Sequence, residues 1–232
     1  MAGVIDASFV RMVHERAGVW VHGVDLRAEP AVEAACLALL DDEERARAAR
    51  YQAAEPRRQF VITRGALRLL LAHHLDLSAQ ALAFAAGPHG KPFAVVDGTP
   101  ARVEFNVSHS AGRGLIALAR GPVGVDIEFL GREADFHLVA KGVLTAAEQA
   151  ALSQRAGAEQ ARLFYRLWTQ KEALIKATGR GFACPTRGFA VPDALLEGAR
   201  CASFAFPGET AAWLVTDLSD GAYAAALAHA SP

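Results

Sequence analysis

The sequence has little of what marks several common protein classes. Its 232 residues include only three cysteines, which are widely spaced and form no CxxC pair. Such a set predicts neither a zinc site nor a disulfide framework, and reduced thiols are the expectation. The patterns GxxxxGK[ST], GxGxxG and GxSxG are also missing. Their absence excludes the standard P-loop, dinucleotide-binding and α/β-hydrolase assignments.

Excess charge and long apolar runs are missing as well. The formal net charge of −1 argues against a general nucleic-acid-binding protein. The first residues carry acids and lack the order of a signal peptide, and apolar runs such as 222–228 are far too short to span a membrane. We therefore expect a cytoplasmic protein that binds neither nucleic acid nor membrane. Hydrophobic residues make up 52% of the sequence, which is enough to form a sizeable core.

Local patterns predict a mixture of helices and short strands. Residues 1–17 suggest a weakly helical or disordered lead-in. Asp41 before three acids, and Thr145 with Glu148 three residues on, are typical helix starts. The other elements used below are predicted strands over 19–26, 103–107, 123–128 and 189–191, a turn over 108–113, and helices over 56–75 and 159–178.

The two halves of the sequence echo each other. Residues 23–26 (GVDL) match 124–127 (GVDI) at an offset of about 100 residues, and the helix starts at Asp41 and Thr145 follow at nearly the same offset. We therefore predict an α+β fold made by duplication, with pseudo-twofold symmetry between halves at 1–121 and 122–232. Ligand sites favour the cleft between such halves.

The copies differ in charge at two places. Glu128 corresponds to Arg27 of the first half, and Glu172 corresponds to Arg68. The acids are therefore concentrated in the second half, and basic residues occupy the matching places in the first.

The stretch GVDIE, residues 124–128, places two acids in a predicted strand. Asp126 and Glu128 project from one face because strand residues alternate, while Val125 and Ile127 turn to the core. Neighbouring carboxylates repel each other, and a bound cation would relieve the repulsion. The alternative is a strand end at which two hydrated acids reach solvent.

One helix carries a matching stripe. Trp168, Glu172 and Lys176 are spaced four residues apart and share a helix face. Glu172 can add an oxygen ligand to a metal held by Asp126 and Glu128, since Mg²⁺ prefers oxygen, and Lys176 can neutralise a phosphate bound there. The alternative is an ordinary surface Glu–Lys pair beneath a core tryptophan.

Other polar residues could contact a phosphate. His109 lies between two serines and is either a solvated turn residue or a phosphate donor. Gly90, Lys91 and Pro92 form a rigid loop with one cation. Further cations, some of them only solvated helix charges, are Arg45, Arg47, Arg50, Arg57, Arg58 and Arg64.

Four motifs occur in a recognisable order: GKPF at 90–93, FNVSHS at 105–110, GVDIE at 124–128 and WTQKEALIKATGRG at 168–181. Together they resemble the signatures of the 4′-phosphopantetheinyl transferases of the surfactin-synthetase-activating (Sfp-like) type, and the likeness spans about 19–230. The last two motifs are specific as a pair, whereas GKP and SHS alone are weak. The basic N-terminal region matches only loosely.

The resemblance implies an activity and a set of roles. Such enzymes move the phosphopantetheine arm of coenzyme A to a serine of an acyl or peptidyl carrier protein and release 3′,5′-ADP. It implies Mg²⁺ held by Asp126, Glu128 and Glu172, and a base that is Glu172 or, through water, Glu148. The implied coenzyme A contacts are Arg47, Arg58, Arg64, Gly90, Lys91, Pro92, Ser108, His109 and Lys176, the last of which also acts in catalysis.

Two other functions stay open on the sequence alone. The same acidic and basic residues would suit a Mg²⁺-dependent pyrophosphatase that acts on coenzyme A or a nucleotide, with water as the nucleophile. A non-catalytic module that binds coenzyme A or a carrier is the third possibility. The resemblance also implies a monomer, and it leaves fatty-acid, polyketide and peptide carriers equally open.

Overall fold

The computed structural model describes residues 7–131 and 136–231. Its α-helices are α1 (Pro30–Leu39), α2 (Asp42–Ala49), α3 (Ala54–Leu75), α4 (Phe136–Val143), α5 (Ala146–Ser153), α6 (Gly157–Thr178) and α7 (Asp193–Leu196). Its strands are β1 (Val10–Arg16), β2 (Val19–Asp25), β3 (Leu82–Ala86), β4 (Pro92–Val96), β5 (Thr99–Pro100), β6 (Glu104–Ser110), β7 (Arg113–Ala119), β8 (Val123–Phe129), β9 (Cys201–Ala205), β10 (Ala212–Asp217) and β11 (Tyr223–Ala230).

The strands form three antiparallel sheets. The first half of the chain builds a sheet in the order β1-β2-β7-β6, together with a small sheet of β3, β4 and β5. The second half builds a sheet in the order β8-β11-β10-β9. Helices and antiparallel sheets therefore coexist as the α+β prediction required.

The predicted duplication is visible in this topology. The order β2-β7-β6 in one sheet matches β8-β11-β10 in the other. The helices α3 and α6 are both 22 residues long. Each half also starts a short helix with a complete capping box, Asp41 with Glu44 in α2 and Thr145 with Glu148 in α5. The α+β fold with two similar halves is confirmed.

Three hydrophobic cores hold these layers together. One packs α1 and α3 against the sheet of the first half, and a second packs α6 against the sheet of the second half. A third lies between the two sheets and is made from alternate residues of β2, β7, β8 and β11. Each of the two four-stranded sheets is therefore covered on both of its faces. The core between these sheets fixes how the two halves face each other.

The sequence prediction was wrong for part of the lead-in. Residues 10–16 form β1, which pairs with β2 at the edge of its sheet. Most of its side chains are exposed, so the strand lacks the apolar alternation by which strands are recognised. The part of the lead-in over 1–6 lies outside the described residues.

Two other local predictions also differ from the structure. The strand β6 continues through Ser108 to Ser110, where a turn was predicted, because these residues still pair with β7, and the turn is confined to 111–112. The hydroxyls of both serines bond to carboxylates of β8 in the facing sheet. Residues 189–191 form no strand, because their backbone groups bond to the side chains of Lys171 and Glu148.

The described part of the chain includes no helix with the length and apolar content needed to cross a membrane. Its three cysteines all carry free thiols, and two of them, Cys36 and Cys184, are buried.

Candidate active site

The acids of β8 lie beside β6 at the junction of the two halves. Ser108 Oγ donates to Asp126 Oδ1 at 2.7 Å, and Ser110 Oγ donates to Glu128 Oε2 at 3.0 Å. Val125 and Ile127, which alternate with the acids, belong to the inter-sheet core. The predicted division between the acidic and the apolar face of this strand is therefore confirmed.

Gly124 lets the long helix α6 lie directly on β8. A Cβ on this residue would collide with the backbone oxygen of Ala173 and the backbone nitrogen of Ala177. Only glycine permits this approach, which brings the polar stripe of α6 up to the acids of β8.

Lys176 reaches from α6 to the β8 acids. Its Nζ donates to Asp126 Oδ1 at 2.6 Å and to Ser108 Oγ at 3.2 Å. Asp126 is buried, while Lys176 is about one-quarter exposed. The ammonium therefore neutralises the buried carboxylate and still reaches the edge of the adjoining cleft.

That cleft has a volume of about 490 Å³. The stripe of Trp168, Glu172 and Lys176 forms one side of it. Asn106 of β6 and Val143 of α4 also line it. The other walls come from the loop that leads into β4 and from the segment after α6, and include His89, Gly90, Lys91, Pro92, Cys184, Pro185 and Thr186. The predicted stripe and the predicted loop thus meet in one cavity.

Lys91 ties this loop to the second half. Its Nζ donates to the backbone oxygens of Val123 at 3.1 Å and Ala177 at 3.3 Å, and it pairs with Glu104 at 3.3 Å. Ala177 lies in the last turn of α6, where free carbonyls favour a cation.

A second cavity of about 270 Å³ shares Pro92 with the first and is basic. Arg47, Arg64 and His109 line it. The guanidinium of Arg47 lies 4.9 Å from the centre of the Phe60 ring, and that of Arg64 lies 4.5 Å from the centre of the Phe84 ring.

Two polar atoms at this basic cavity lack a hydrogen-bond partner. Arg64 Nη1 and Thr63 Oγ1 are buried and have none among the described residues. Arg64 is otherwise held by Glu44, whose Oε1 lies 3.3 Å from its Nε. A buried donor without a partner is costly, so the cavity suits a ligand that offers acceptor oxygens.

Two groups near the β8 acids have shifted pKa values. Burial, followed by the negative charge of Asp126, raises the pKa of Glu172 above its ordinary value, and Lys176 partly offsets the effect. Desolvation, followed by the positive charge of Lys176, lowers the pKa of His109, although its side chain is largely exposed in the basic cavity. Glu172 is therefore more easily protonated than an ordinary glutamate.

Arg58 lies apart from these cavities. Its Nε is 3.9 Å from Glu33, and it lines a different depression beside α1. Arg58 and Arg64 are six residues apart on α3, which turns them roughly 120° from each other around the helix.

Glu148 also lies apart, and this corrects the expectation that it could act through water. Its side chain is 0% exposed. One oxygen pairs with Lys171 Nζ at 2.9 Å and accepts from Thr145, and the other accepts from the backbone nitrogen of Val191. The structure therefore gives Glu148 no access to the cleft.

The sequence reasoning overlooked several residues of the site. Asn106 Oδ1 accepts from the backbone nitrogen of Val125 at 2.9 Å, and Ser110 holds Glu128. The positions of Asn106 and Ser110 could have been predicted from the alternation of side chains along a strand, since residues 106, 108 and 110 of FNVSHS share one face of β6. Thr63 carries no comparable signal, because its place beside the basic cavity depends on packing between distant segments.

The oxygen donors around β8 fit a hard divalent cation in chemistry. Asp126 Oδ2 is buried and has no hydrogen-bond partner among the described residues. Over 7–131 and 136–231, no three His, Cys, Asp or Glu side chains form a ready-made metal cluster. The ammonium of Lys176 lies against the other oxygen of this carboxylate, Asp126 Oδ1, at 2.6 Å.

Family models match both halves of the chain. A model described as the 4′-phosphopantetheinyl transferase superfamily matches residues 122–228. A second model, described as the N-terminal part of 4′-phosphopantetheinyl transferase, matches residues 29–120. The two matches adjoin each other and together cover most of the sequence.

Curated proteins show the same likeness. A Synechocystis protein provisionally named a 4′-phosphopantetheinyl transferase is 39% identical over 166 residues, which cover 71% of this chain and 65% of that protein. The transferase HetI of Nostoc is 34% identical over 63% of this chain and 62% of its own length. The transferase Sfp of Bacillus subtilis is 28% identical over 67% of each chain.

The chain spans less than two thirds of the length of the first two of these relatives. Both of its halves nevertheless match models of one family. The chain therefore belongs to the 4′-phosphopantetheinyl transferase superfamily.

Proposed function

We propose that this protein transfers the 4′-phosphopantetheine group of coenzyme A to a serine of an apo carrier protein and releases 3′,5′-ADP. The observation that carries the proposal is that α6 brings Glu172 and Lys176 up to the acidic face of β8 at the junction of the halves, where Lys176 bonds to Asp126. A basic cavity lies beside them. A donor with several phosphates and a transfer between oxygens require this combination.

The charged end of coenzyme A occupies the basic cavity in this proposal. Arg47 and Arg64 receive the 3′-phosphate, and the unpaired Arg64 Nη1 donates to it. His109 and Lys176 contact the pyrophosphate between the two cavities. Gly90, Lys91 and Pro92 border the larger cleft, where they hold the rest of the nucleotide end.

Magnesium belongs to the same proposal. Asp126, Glu128 and Glu172 would hold the ion, and the free Asp126 Oδ2 supports its place. When bound, Mg²⁺ supplies positive charge against the phosphate oxygens and orients the pyrophosphate.

The chain's own residues then carry the transfer. Glu172 takes the proton from the carrier serine, whose oxygen forms a new bond to the β-phosphorus. The bond from that phosphorus to the bridging oxygen breaks, and 3′,5′-ADP leaves with the electron pair. Lys176 stabilises the negative charge of the phosphates. The raised pKa of Glu172 and the burial of Glu148 both favour Glu172 as the base.

Finer assignments also belong to this proposal. The first half, 1–121, would hold the nucleotide end, and the second half, 122–232, the metal and the chemistry. We assign the protein to the surfactin-synthetase-activating type, acting as a cytoplasmic monomer on carriers of secondary metabolism. The free thiols of the chain support a reducing compartment.

One experiment separates this function from the two alternatives. The protein is incubated with coenzyme A, Mg²⁺ and an apo carrier, and both the carrier and the nucleotide are analysed by mass. A carrier heavier by one phosphopantetheine group, with no gain when EDTA is present, supports the transferase. Hydrolysed coenzyme A with an unchanged carrier would indicate a pyrophosphatase, and intact coenzyme A a binding module.

A further inference from the structure

An ion pair lies fully buried behind the larger cleft. Lys171 and Glu148 are both 0% exposed, and their Nζ and Oε2 atoms are 2.9 Å apart. Lys171 directly precedes Glu172 on α6, so the two side chains point about 100° apart around the helix. Glu172 faces the cleft, whereas Lys171 faces the interior.

Both members of the pair bind the backbone of the segment that follows α6. Lys171 Nζ donates to the carbonyl oxygens of Thr186, at 2.8 Å, and Phe189. Glu148 Oε1 accepts from the backbone nitrogen of Val191 at 2.9 Å. The pair thus holds three backbone groups within six residues of one segment.

This segment, residues 184–191, belongs to no sheet. Its first part, Cys184, Pro185 and Thr186, lines the larger cleft together with the stripe of α6. Since no strand pairs with it, its position depends on side chains, and the buried pair supplies the hydrogen bonds on its inner side.

We propose that Lys171 and Glu148 are positioning residues that hold the wall 184–186 of the larger cleft and thereby set the affinity for coenzyme A. The choice of ligand rests on the proposed function. A buried ion pair is a weak source of stability but a specific way to fix geometry. In this protein the ion pair of Lys171 and Glu148 holds the wall 184–186 against α6, the helix that carries Glu172.

The test uses Lys171→Met and the double variant Lys171→Met/Glu148→Gln. The double variant removes both buried charges. Its glutamine oxygen can still accept from Val191, although its amide nitrogen can no longer accept from Thr145, so the variant is expected to regain part of the stability that the single variant loses. Both variants lack the bonds to Thr186 and Phe189. If Lys171→Met does not fold, the cleavage rate and the dissociation constant of the double variant test the proposal.

Arg166→Met is the matched control on the same helix. Arg166 donates to Asp217 at 2.9 Å and to the carbonyl oxygen of Leu195 at 3.2 Å. It therefore also ties α6 to later parts of the chain, but it lines neither cleft.

Two measurements on the folded proteins need no carrier and no turnover. Trypsin cleavage after the exposed Arg187 reports how firmly the segment is held, and calorimetry gives the dissociation constant of coenzyme A. We expect both 171 variants to be cleaved there about tenfold faster and to bind coenzyme A about tenfold more weakly, in line with the loss of two hydrogen bonds. Arg166→Met should change neither.

A double variant that regains stability together with the wild-type dissociation constant and cleavage rate would overturn the proposal, because the pair would then act only on stability. A wild-type protein that does not bind coenzyme A would count against the proposed function instead. The rate of cleavage after Arg187 would still decide whether the pair holds the wall.

Discussion

Asp126 shows most clearly what the site can do. One of its oxygens accepts hydrogen bonds from Lys176 and Ser108, while the other is buried and has no hydrogen-bond partner in the described part of the chain. A carboxylate with one satisfied and one free oxygen is preorganised for a further cation. Glu172 adds a carboxylate at the cleft, and burial, followed by the charge of Asp126, raises its pKa.

Arg64 is the residue whose loss should separate coenzyme A from its analogue without the 3′-phosphate. We expect Arg64→Met to raise the KM for coenzyme A roughly tenfold to a hundredfold, because a charge-assisted hydrogen bond to phosphate is lost. The KM for dephospho-coenzyme A should change much less.

Arg58→Met is the control for that variant. Arg58 pairs with Glu33 away from the basic cavity. The KM values of the Arg58→Met variant for coenzyme A and for dephospho-coenzyme A should therefore stay at the wild-type level. Equal losses for both donors in Arg64→Met would contradict the assignment of Arg64 to the 3′-phosphate.

His109 gives the binding of coenzyme A a dependence on pH. Burial, followed by the charge of Lys176, holds its pKa below the ordinary value of histidine in the free protein, and a bound phosphate would raise it. Between the two pKa values, binding takes up a proton, so affinity should fall as the pH rises through that range. Calorimetry in buffers of different ionisation enthalpy measures the uptake, and His109→Gln should abolish it. Wild-type binding without proton uptake would show that His109 does not face the phosphate.

At the scale of elements, the contact between β8 and α6 supports the whole site. The backbone of α6 leaves no room for a side chain at Gly124. Gly124→Ala should therefore destabilise the protein by about 3 kcal/mol or more, since neither backbone can give way cheaply.

Gly142→Ala is the comparison for the helix contact. Gly142 lies in α4 with open space around the position of a Cβ. This substitution should be neutral or stabilise by up to about 1 kcal/mol, because alanine favours a helix. Chemical denaturation of both variants gives the free energies of unfolding. A Gly124→Ala protein as stable as the wild type would show that α6 does not lie so close to β8.

The sequence allowed these elements to be predicted wherever the signal was local. The strand period in GVDIE, the helical spacing of Trp168, Glu172 and Lys176, and the capping box at Thr145 all proved correct. The strand β1 escaped prediction because its side chains are mostly exposed. Strands are predicted from an alternation of apolar and polar residues, which reflects burial of one face. An exposed edge strand has no buried face and therefore lacks this alternation.

Contacts between distant segments could not be predicted in the same way. The sequence shows Glu148 as a capping residue, but its pair with Lys171 joins two residues that are 23 positions apart on successive helices, and it appears only when the chain is folded. The same holds for Ser108, whose hydroxyl bonds across the junction of the halves to Asp126. Capping geometry is local, whereas burial of a charge depends on everything packed around it.

On the scale of the whole molecule, the two halves share a plan and differ in charge. The capping glutamate of each half forms a buried ion pair with its long helix, Glu44 with Arg68 and Glu148 with Lys171. The duplicated fold thus reuses one internal support. It makes Arg68 the counterpart of Lys171, which corrects the match of Arg68 with Glu172 that the sequence offset suggested. The acids Glu128 and Glu172 have no acidic counterpart in the first half, and the proposed function therefore places the chemistry in the second.

The central claim is that this acidic site transfers phosphopantetheine. Its most direct test is the intact mass of an apo carrier after incubation with coenzyme A and Mg²⁺, using the wild-type protein and Glu172→Gln. We expect the wild type to add one phosphopantetheine group, and the variant to do so on the order of a hundredfold more slowly while it still folds and binds coenzyme A. A carrier left unmodified by the wild type, or modified equally fast by the variant, would contradict the account.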